Sequence, residues 1–539
     1  MHDGNARSMR GANVESGQAA VVGDRPLAPS EWRRNLWWLL SVGVVTAALC
    51  LPFLRTVYWL GDEGILLHGA ERILHGSRLY ADFFEFLPPG GFVLTAAWFR
   101  IDGISILSAR SLAILTIVGI ACFTYLACQR ASKNAPLSAL STVGWVMMSQ
   151  GVWTVVSHHW FTTLFSMMAA WAALASIEDG RRPLRWPLIA GAAAGVAAMV
   201  METQGALVMT AALLAFWYPW QRPAGLVAYL LGCALVPVGL LAYLVGSHTF
   251  VPAFKDVILW PAEQYASIQG VPFGSVDDLQ NWPLKYLFAV AIVLTVLISI
   301  RNRRVWRRDR TLWLCAAFGV VGFVNCFPRP DIFHIAFVAP LALPLLLFST
   351  ASLFRWWRSA YRYVTIGLVV ALAVPSANAY LWAAERAQEA RIVQTPRGRI
   401  AVPGLPGVGR LLQQIAATPP GDSYFFYPYL PMMPFLTARK DVSRYDIFVP
   451  DYTLPFQYQK ACISVVRHAS WVVIDRRWTD PVFLKAVFPA MRNPRPPETR
   501  RFEQALDRGF KLVATDGMYE LRRRRAGGVG PILCDGIVR

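Results

Sequence analysis

Polar positions are sparse along most of this chain, and the apolar ones run on in blocks of about 17–24 residues, enough as helix to cross a hydrocarbon layer of roughly 30 Å. The blocks fall at 36–54, 105–128, 136–156, 160–177, 187–201, 203–219, 224–245, 284–300, 311–327, 333–353 and 361–382. They are too long and too evenly apolar for barrel strands, and only helices or closed barrels satisfy backbone polar groups in lipid. The pattern predicts a polytopic α-helical membrane protein with about eleven transmembrane helices over 36–382.

The cations support one orientation. Arg130 and Lys133; Arg181, Arg182 and Arg185; Arg222; Arg301, Arg303, Arg304, Arg307 and Arg308; and Arg355, Arg358 and Arg362 all fall in alternate loops. With the N-terminus cytoplasmic, every one of these loops is inside, where Lys and Arg are retained. The formal net charge of +19 then has a topological cause. No soluble basic face or nucleic-acid motif accompanies it, which argues against a nucleic-acid partner. Residues 1–35, polar and rich in Gly, Ala, Ser and Arg, read as a disordered cytoplasmic tail before a signal-anchor helix.

An odd number of crossings puts residues 383–539 outside. There the composition turns to mixed apolar and polar stretches with many prolines. Ser423–Tyr427, Ser470–Ile474, Lys511–Ala514 and Met518–Leu521 read as strands and Thr499–Arg508 as a helix, which predicts a small extracytoplasmic α/β domain. Cys462 and Cys534 lie in this domain and could pair; two cysteines alone leave both a disulfide and free thiols open. The other six cysteines read as small buried hydrophobes, and no zinc-type spacing appears.

Candidate chemistry gathers on the outer side. Gly61-Asp62-Glu63-Gly64 places two acids just past a membrane helix, where charge is costly to keep without a purpose. The plain alternative is a pair of solvated loop carboxylates. Ile65, Leu66, Ala70, Ile73 and Leu74 then recur at helical spacing to about His75, which predicts a helix lying in the interface plane. Arg78, Glu85 and Pro88-Pro89-Gly90 follow. Two more outer clusters are Ser157-His158-His159-Trp160 and Pro328-Arg329-Pro330-Asp331 with His334. A guanidinium offers a fork of donors to phosphate oxygens, and a neighbouring carboxylate can orient it or an imidazole. The alternatives are an ordinary interfacial ion pair and a headgroup-level anchor. Glu202 and Gln204, polar in an apolar stretch, are expected to line the same cavity.

At these residues the sequence resembles the GT-C superfamily, in particular bacterial relatives of the dolichyl-phosphate-mannose protein mannosyltransferases and the lipid A aminoarabinose transferases. The likeness covers about 36–382 and lies in order and topology: Asp62-Glu63 after the first helix, Pro88-Pro89-Gly90 after an interfacial helix, and Arg329-Pro330-Asp331 with His334 in a later outer loop. Tyr427-Pro428-Tyr429 and Val472–Asp475 are similar to stretches of the domain this family often appends. Three positions depart from the pattern: Ile65 stands where an Arg is usual, Leu87 where a Lys precedes the Pro-Pro, and His158 or His159 where an acid is usual.

The resemblance implies a hexosyl- or pentosyltransferase of the cytoplasmic (inner) membrane, with a polyprenyl-phosphate-linked sugar donor and an extracytoplasmic acceptor that no residue names. It makes Asp62 the catalytic base and Glu63 the second choice or an orienting partner. Arg329, His334 and Arg78 then hold the donor phosphate, supported by Asp331, His158, His159, Glu85, Glu202 and Gln204. No cofactor is firmly implied, and ligand spacing supports no divalent metal. A flippase for lipid-linked sugars would show paired halves and midplane polar groups, and no internal repeat is present. A non-catalytic scaffold differs from an enzyme in geometry: in an enzyme Asp62, Arg329 and His334 converge on one cavity.

Overall fold

The computed structural model describes residues 29–178, 184–216, 223–265, 268–275, 282–301, 309–356, 358–526 and 531–537. Most of the predicted tail (1–28) and the basic positions Arg181, Arg182, Arg222, Arg303, Arg304, Arg307 and Arg308 lie outside the described residues.

The helices in chain order are α1 (Pro29–Cys50), α2 (Asp62–Leu74), α3 (Gly90–Asp102), α4 (Ile106–Ser132), α5 (Ala135–Trp153), α6 (His158–Glu178), α7 (Arg185–Val200), α8 (Glu202–Leu213), α9 (Pro223–Gly246), α10 (Phe250–Phe254), α11 (Trp282–Arg301), α12 (Arg310–Val324), α13 (Ile332–Trp356) and α14 (Arg358–Glu389). A helix lies in every apolar block, and the interfacial helix after Gly61 is α2. Helix α3, begun by Pro88-Pro89-Gly90, is an element the hydrophobic pattern did not resolve. Six of the described helices are long and apolar enough to cross a membrane, against the eleven predicted. Apolar α7 and α12 are shorter; the 15 residues of α12 span only about 22 Å.

Small residues let the bundle close. A Cβ on Gly191 or Gly195 of α7 would sit 2.1 Å from Tyr229 O or 2.8 Å from Cys233 O of α9, so these backbones meet where side chains are missing. Pro340 in α13 cannot donate to Ala336 O, and the Trp145 indole of α5 donates to that carbonyl instead, at 2.9 Å.

After α14 come a hairpin, β1 (Ile392–Thr395) with β2 (Gly398–Ala401), then α15 (Val408–Ala416), β3 (Tyr424–Tyr427), α16 (Met432–Thr437), α17 (Pro455–His468), β4 (Trp471–Asp475), α18 (Pro481–Val487), α19 (Pro497–Gly509), β5 (Phe510–Asp516) and β6 (Tyr519–Arg524). The four-stranded sheet has the order β3-β4-β6-β5, with β3 parallel to β4 and the other neighbours antiparallel. All four strands read from the sequence are present. The hairpin and helices α15 to α18 went unread. Cys462 and Cys534 are disulfide-bonded.

This C-terminal region docks on α2. Met432 N–H donates to Leu60 O at 3.0 Å, and Arg72 donates to Asp446 at 3.0 Å and to Ser443 O at 3.1 Å. Arg397 pairs with Glu71. Gly64 makes the approach possible: a Cβ there would lie 2.0 Å from Met432 N.

Candidate active site

The segment between α1 and α2 is tied to β2. Ala401 N–H donates to Arg55 O at 2.7 Å, and Val57 N–H donates to Ala401 O at 2.8 Å. Gly61 then opens α2, so Asp62 and Glu63 fall in its first turn, where the helix dipole and free N–H groups favour carboxylates. Consecutive helical residues point about 100° apart, and the two acids part at once.

Glu63 turns inward. Arg110 of α4, fully buried, donates from both terminal nitrogens to the Glu63 oxygens, with Nη2–Oε2 at 2.9 Å. The same guanidinium donates to Thr56 O at 3.2 and 2.6 Å, and Val156 N–H donates to Glu63 Oε1 at 2.9 Å. With its oxygens so engaged, Glu63 fixes the start of α2 against α4 and the 154–157 turn.

Asp62 faces a cavity of about 410 Å³. The Tyr429 hydroxyl donates to its Oδ1. Asp62 is exposed to the cavity, and desolvation by the surrounding protein raises its carboxyl above the ordinary value. The Tyr429 hydrogen bond and the charges of His334 and Arg329 oppose the rise. Burial and the Asp62 charge in turn push the Tyr429 phenol well up, so it stays a donor.

The facing wall is the start of α13. Asp331 caps that helix, accepting from His334 N–H at 3.0 Å, and the same oxygen lies 2.7 Å from His334 Nδ1. A carboxylate at Nδ1 keeps a proton on that nitrogen. The other Asp331 oxygen accepts from Arg329 Nε at 2.9 Å, while Arg329 Nη1 donates to Gln269 at 3.1 Å. Burial pushes the Asp331 carboxyl up, but the hydrogen bonds and charge of His334, with Arg329, outweigh it and leave the group below the ordinary value. Beside this cluster the rings of His158 and His159 lie 4.1 Å apart, and His159 is 5.0 Å from His334.

The remaining walls are aromatic. Tyr265, from one of two π-helical turns (Lys255–Leu259 and Pro261–Tyr265), joins Trp59, Tyr429, Tyr452, Trp478 and Phe488 around the cavity. Trp478 packs edge-on to Trp59 and Tyr429, at 5.6 and 5.1 Å, and Arg329 sits over Phe488 at 5.3 Å. Such rings offer flat apolar faces with a polar edge, suited to a sugar.

Asp62, Glu63, His158, His159, Arg329, Asp331 and His334 thus share one cavity. Four sequence candidates do not line it. Arg78 is exposed and pairs with Asp82 one turn away at 3.2 Å. Glu85 is buried toward Asp446, with only its neighbours Phe86 and Leu87 at the cavity. Gln204 bonds Ser166 at 3.4 Å inside the bundle, and Glu202 begins α8 away from the lining. Sequence reading missed Arg110, Gln269, Tyr265, Tyr452 and Trp478. Arg110 had a visible signal, a lone charge in an apolar block, which demands a partner. Among the described residues, no group of three or more His, Cys, Asp or Glu is placed to hold a metal ion.

No family model and no curated protein matches the chain by sequence. Solved structures do match by shape. ArnT from Cupriavidus metallidurans bound to undecaprenyl phosphate is 14% identical at a TM-score of 0.56, over 93% of this chain and 99% of that one. The same protein in the apo state gives 14% and 0.58, over 92% and 98%. The Archaeoglobus fulgidus oligosaccharyltransferase complex with Zn and sulfate gives 11% and 0.50, over 88% and 72%. ArnT and this chain superpose over nearly the whole length of both, so the two share one fold.

Proposed function

We propose that this protein transfers a sugar from a polyprenyl-phosphate carrier to an acceptor at the extracytoplasmic face of the inner membrane. The observation that carries the reading is the single cavity in which Asp62 faces the Arg329–Asp331–His334 cluster. The fold is that of ArnT, which has been solved with undecaprenyl phosphate, and this supports a lipid phosphate as carrier. In the proposed topology residues 1–35 are a cytoplasmic tail, 36–382 cross the membrane about eleven times and 383–539 lie outside.

In the reaction an acceptor hydroxyl attacks the anomeric carbon as the bond from that carbon to the phosphate oxygen breaks. Asp62 takes the hydroxyl proton. The bonding pair leaves on the phosphate, whose growing charge is met by the Arg329 guanidinium and by His334 in its protonated form, with Nδ1–H on Asp331 and Nε2–H left for the phosphate. Asp331 orients both of these, and Tyr429 aims Asp62. The departures Ile65 and Leu87 leave Arg329 as the principal phosphate cation of this site. The aromatic walls hold the sugar, and the C-terminal region, which supplies Tyr429, Tyr452, Trp478 and Phe488, shapes the acceptor side.

The test is transfer from a panel of radiolabelled polyprenyl-phosphate sugars by membranes carrying the protein. Asp62→Asn, folded and inserted, is expected to lose about 10²–10⁴-fold in rate. Full activity in that variant ends the assignment of Asp62 as base, and no transfer from any donor ends the proposal of a transferase.

A further inference from the structure

A second cavity, of about 580 Å³, lies apart from the one at Asp62, between the end of α14 and the loop after β2. Arg386, Arg391 and Arg410 line it together with Glu389, and the chain from Val402 to Gly407 closes it. Gly404 and Gly407, at φ +71° and +90°, turn that loop in a way other residues adopt only with strain.

Its depth is fixed by neighbouring contacts. The Tyr380 hydroxyl donates to Leu49 O at 3.0 Å, which aligns α14 with the first membrane span, whose apolar run ends at Phe53. Arg386 is six residues beyond Tyr380, about 9 Å along a helix, so it passes the apolar edge by only a few Å. The headgroup layer there is roughly 5–7 Å thick. One turn below, Leu381 and Trp382 are 63% and 40% exposed, as residues facing acyl chains would be. The Arg386 guanidinium lies over the Trp382 ring at 4.6 Å, charge toward the cavity level and stem along the apolar surface.

The charges leave room for one anion. Asp516 accepts from Arg410 Nε at 2.7 Å, and Glu389 offsets a second cation, which leaves one net positive charge. We propose that this cavity binds the phosphate of an anionic phospholipid headgroup, held by Arg386 and Arg391, with its acyl chains against Leu381 and Trp382. A free phosphate ester offers the same oxygens but would leave that apolar surface bare.

The test uses the full chain in detergent, offered phosphatidylglycerol or phosphatidylcholine, with retained lipid counted by native mass spectrometry. Phosphatidylglycerol is expected to be retained in preference. Arg386→Gln and Arg391→Gln should each weaken the most tightly held copy about fivefold, while Arg386→Lys keeps most of the preference. Both arginines are exposed and outside the Asp62 cavity, so the double glutamine variant should unfold at the wild-type temperature and transfer sugar at the wild-type rate. Unchanged retention in the folded double variant, equal retention of phosphatidylcholine, or displacement by equimolar soluble glycerol 3-phosphate overturns the proposal.

Discussion

Asp62 and Glu63 are neighbours in sequence with opposite fates, and the cause is visible in their partners. Glu63 meets a buried guanidinium and an amide; Asp62 meets the cavity and one phenol. Removing the phenol hydroxyl in Tyr429→Phe deletes an interaction that lowers the Asp62 pKa. A base must be deprotonated to act, so the acid limb of the pH–rate profile should move to higher pH in this variant, with slower transfer at a fixed neutral pH. A profile unmoved on its acid side would show that Tyr429 does not tune the base. Arg110→Ala leaves Glu63 buried without its cation, and breaking such a pair typically costs about 3–5 kcal/mol. Low yield of folded protein and a lowered melting temperature are expected, beyond any loss of activity. A melting temperature equal to wild type would contradict a structural role. The acids, the imidazoles and Arg329 were legible in the sequence because charge beside an apolar block is conspicuous. Their division of labour was not, since it depends on Thr56, Arg110 and Tyr429, which are brought together from 54 to 373 positions apart.

At the scale of elements, hydrophobic periodicity located the helices of the apolar blocks and the four strands of the main sheet, since both follow from local pattern. What it left out are α3, the β1–β2 hairpin, α15 to α18 and the π-helical turns before Tyr265, whose positions are set by contacts with the rest of the molecule. The junction of α2 with α16 is one such contact. Gly64 allows it, and Gly64→Ala would drive a methyl group to within 2.0 Å of Met432 N, where backbone rather than a flexible side chain must yield. Because Leu60 O and Met432 N–H are hydrogen-bonded next door, displacement there also moves Tyr429 relative to Asp62. The variant should therefore lose activity by at least about tenfold, as expected when reacting groups shift by roughly 1 Å, and become easier to cleave by protease between residues 427 and 440. Normal protease resistance together with normal transfer would mean that the two elements are not held in register by this contact.

Over the whole molecule, the C-terminal region supplies one wall of the Asp62 cavity, so the proposed transfer requires that it stay docked. Much of that docking is ionic and buried, Arg72 with Asp446 and Arg397 with Glu71, and His68 lies beside it with Nδ1 3.7 Å from Asp446. Burial, followed by the Arg72 charge, lowers His68 to about 4 from 6.5, so the folded protein keeps it neutral in mildly acidic solution while the unfolded chain protonates it. Between pH 6.5 and about 4 the unfolded state then binds more protons, and the stability contributed by neutral His68 is lost as the pH falls through that window. Asp441, pushed up to about 8 by burial and the Asp446 charge, works in the opposite sense, since its folded form holds a proton the unfolded chain releases. The raw stability curve mixes the two. The difference between wild type and His68→Gln isolates the histidine: thermal unfolding from pH 7.5 to 4 should show the wild type losing stability relative to the variant as the solution is acidified. Parallel curves would mean that His68 is protonated alike in the folded and unfolded chains, and that a neutral His68 beside Asp446 is not what makes docking sensitive to acid.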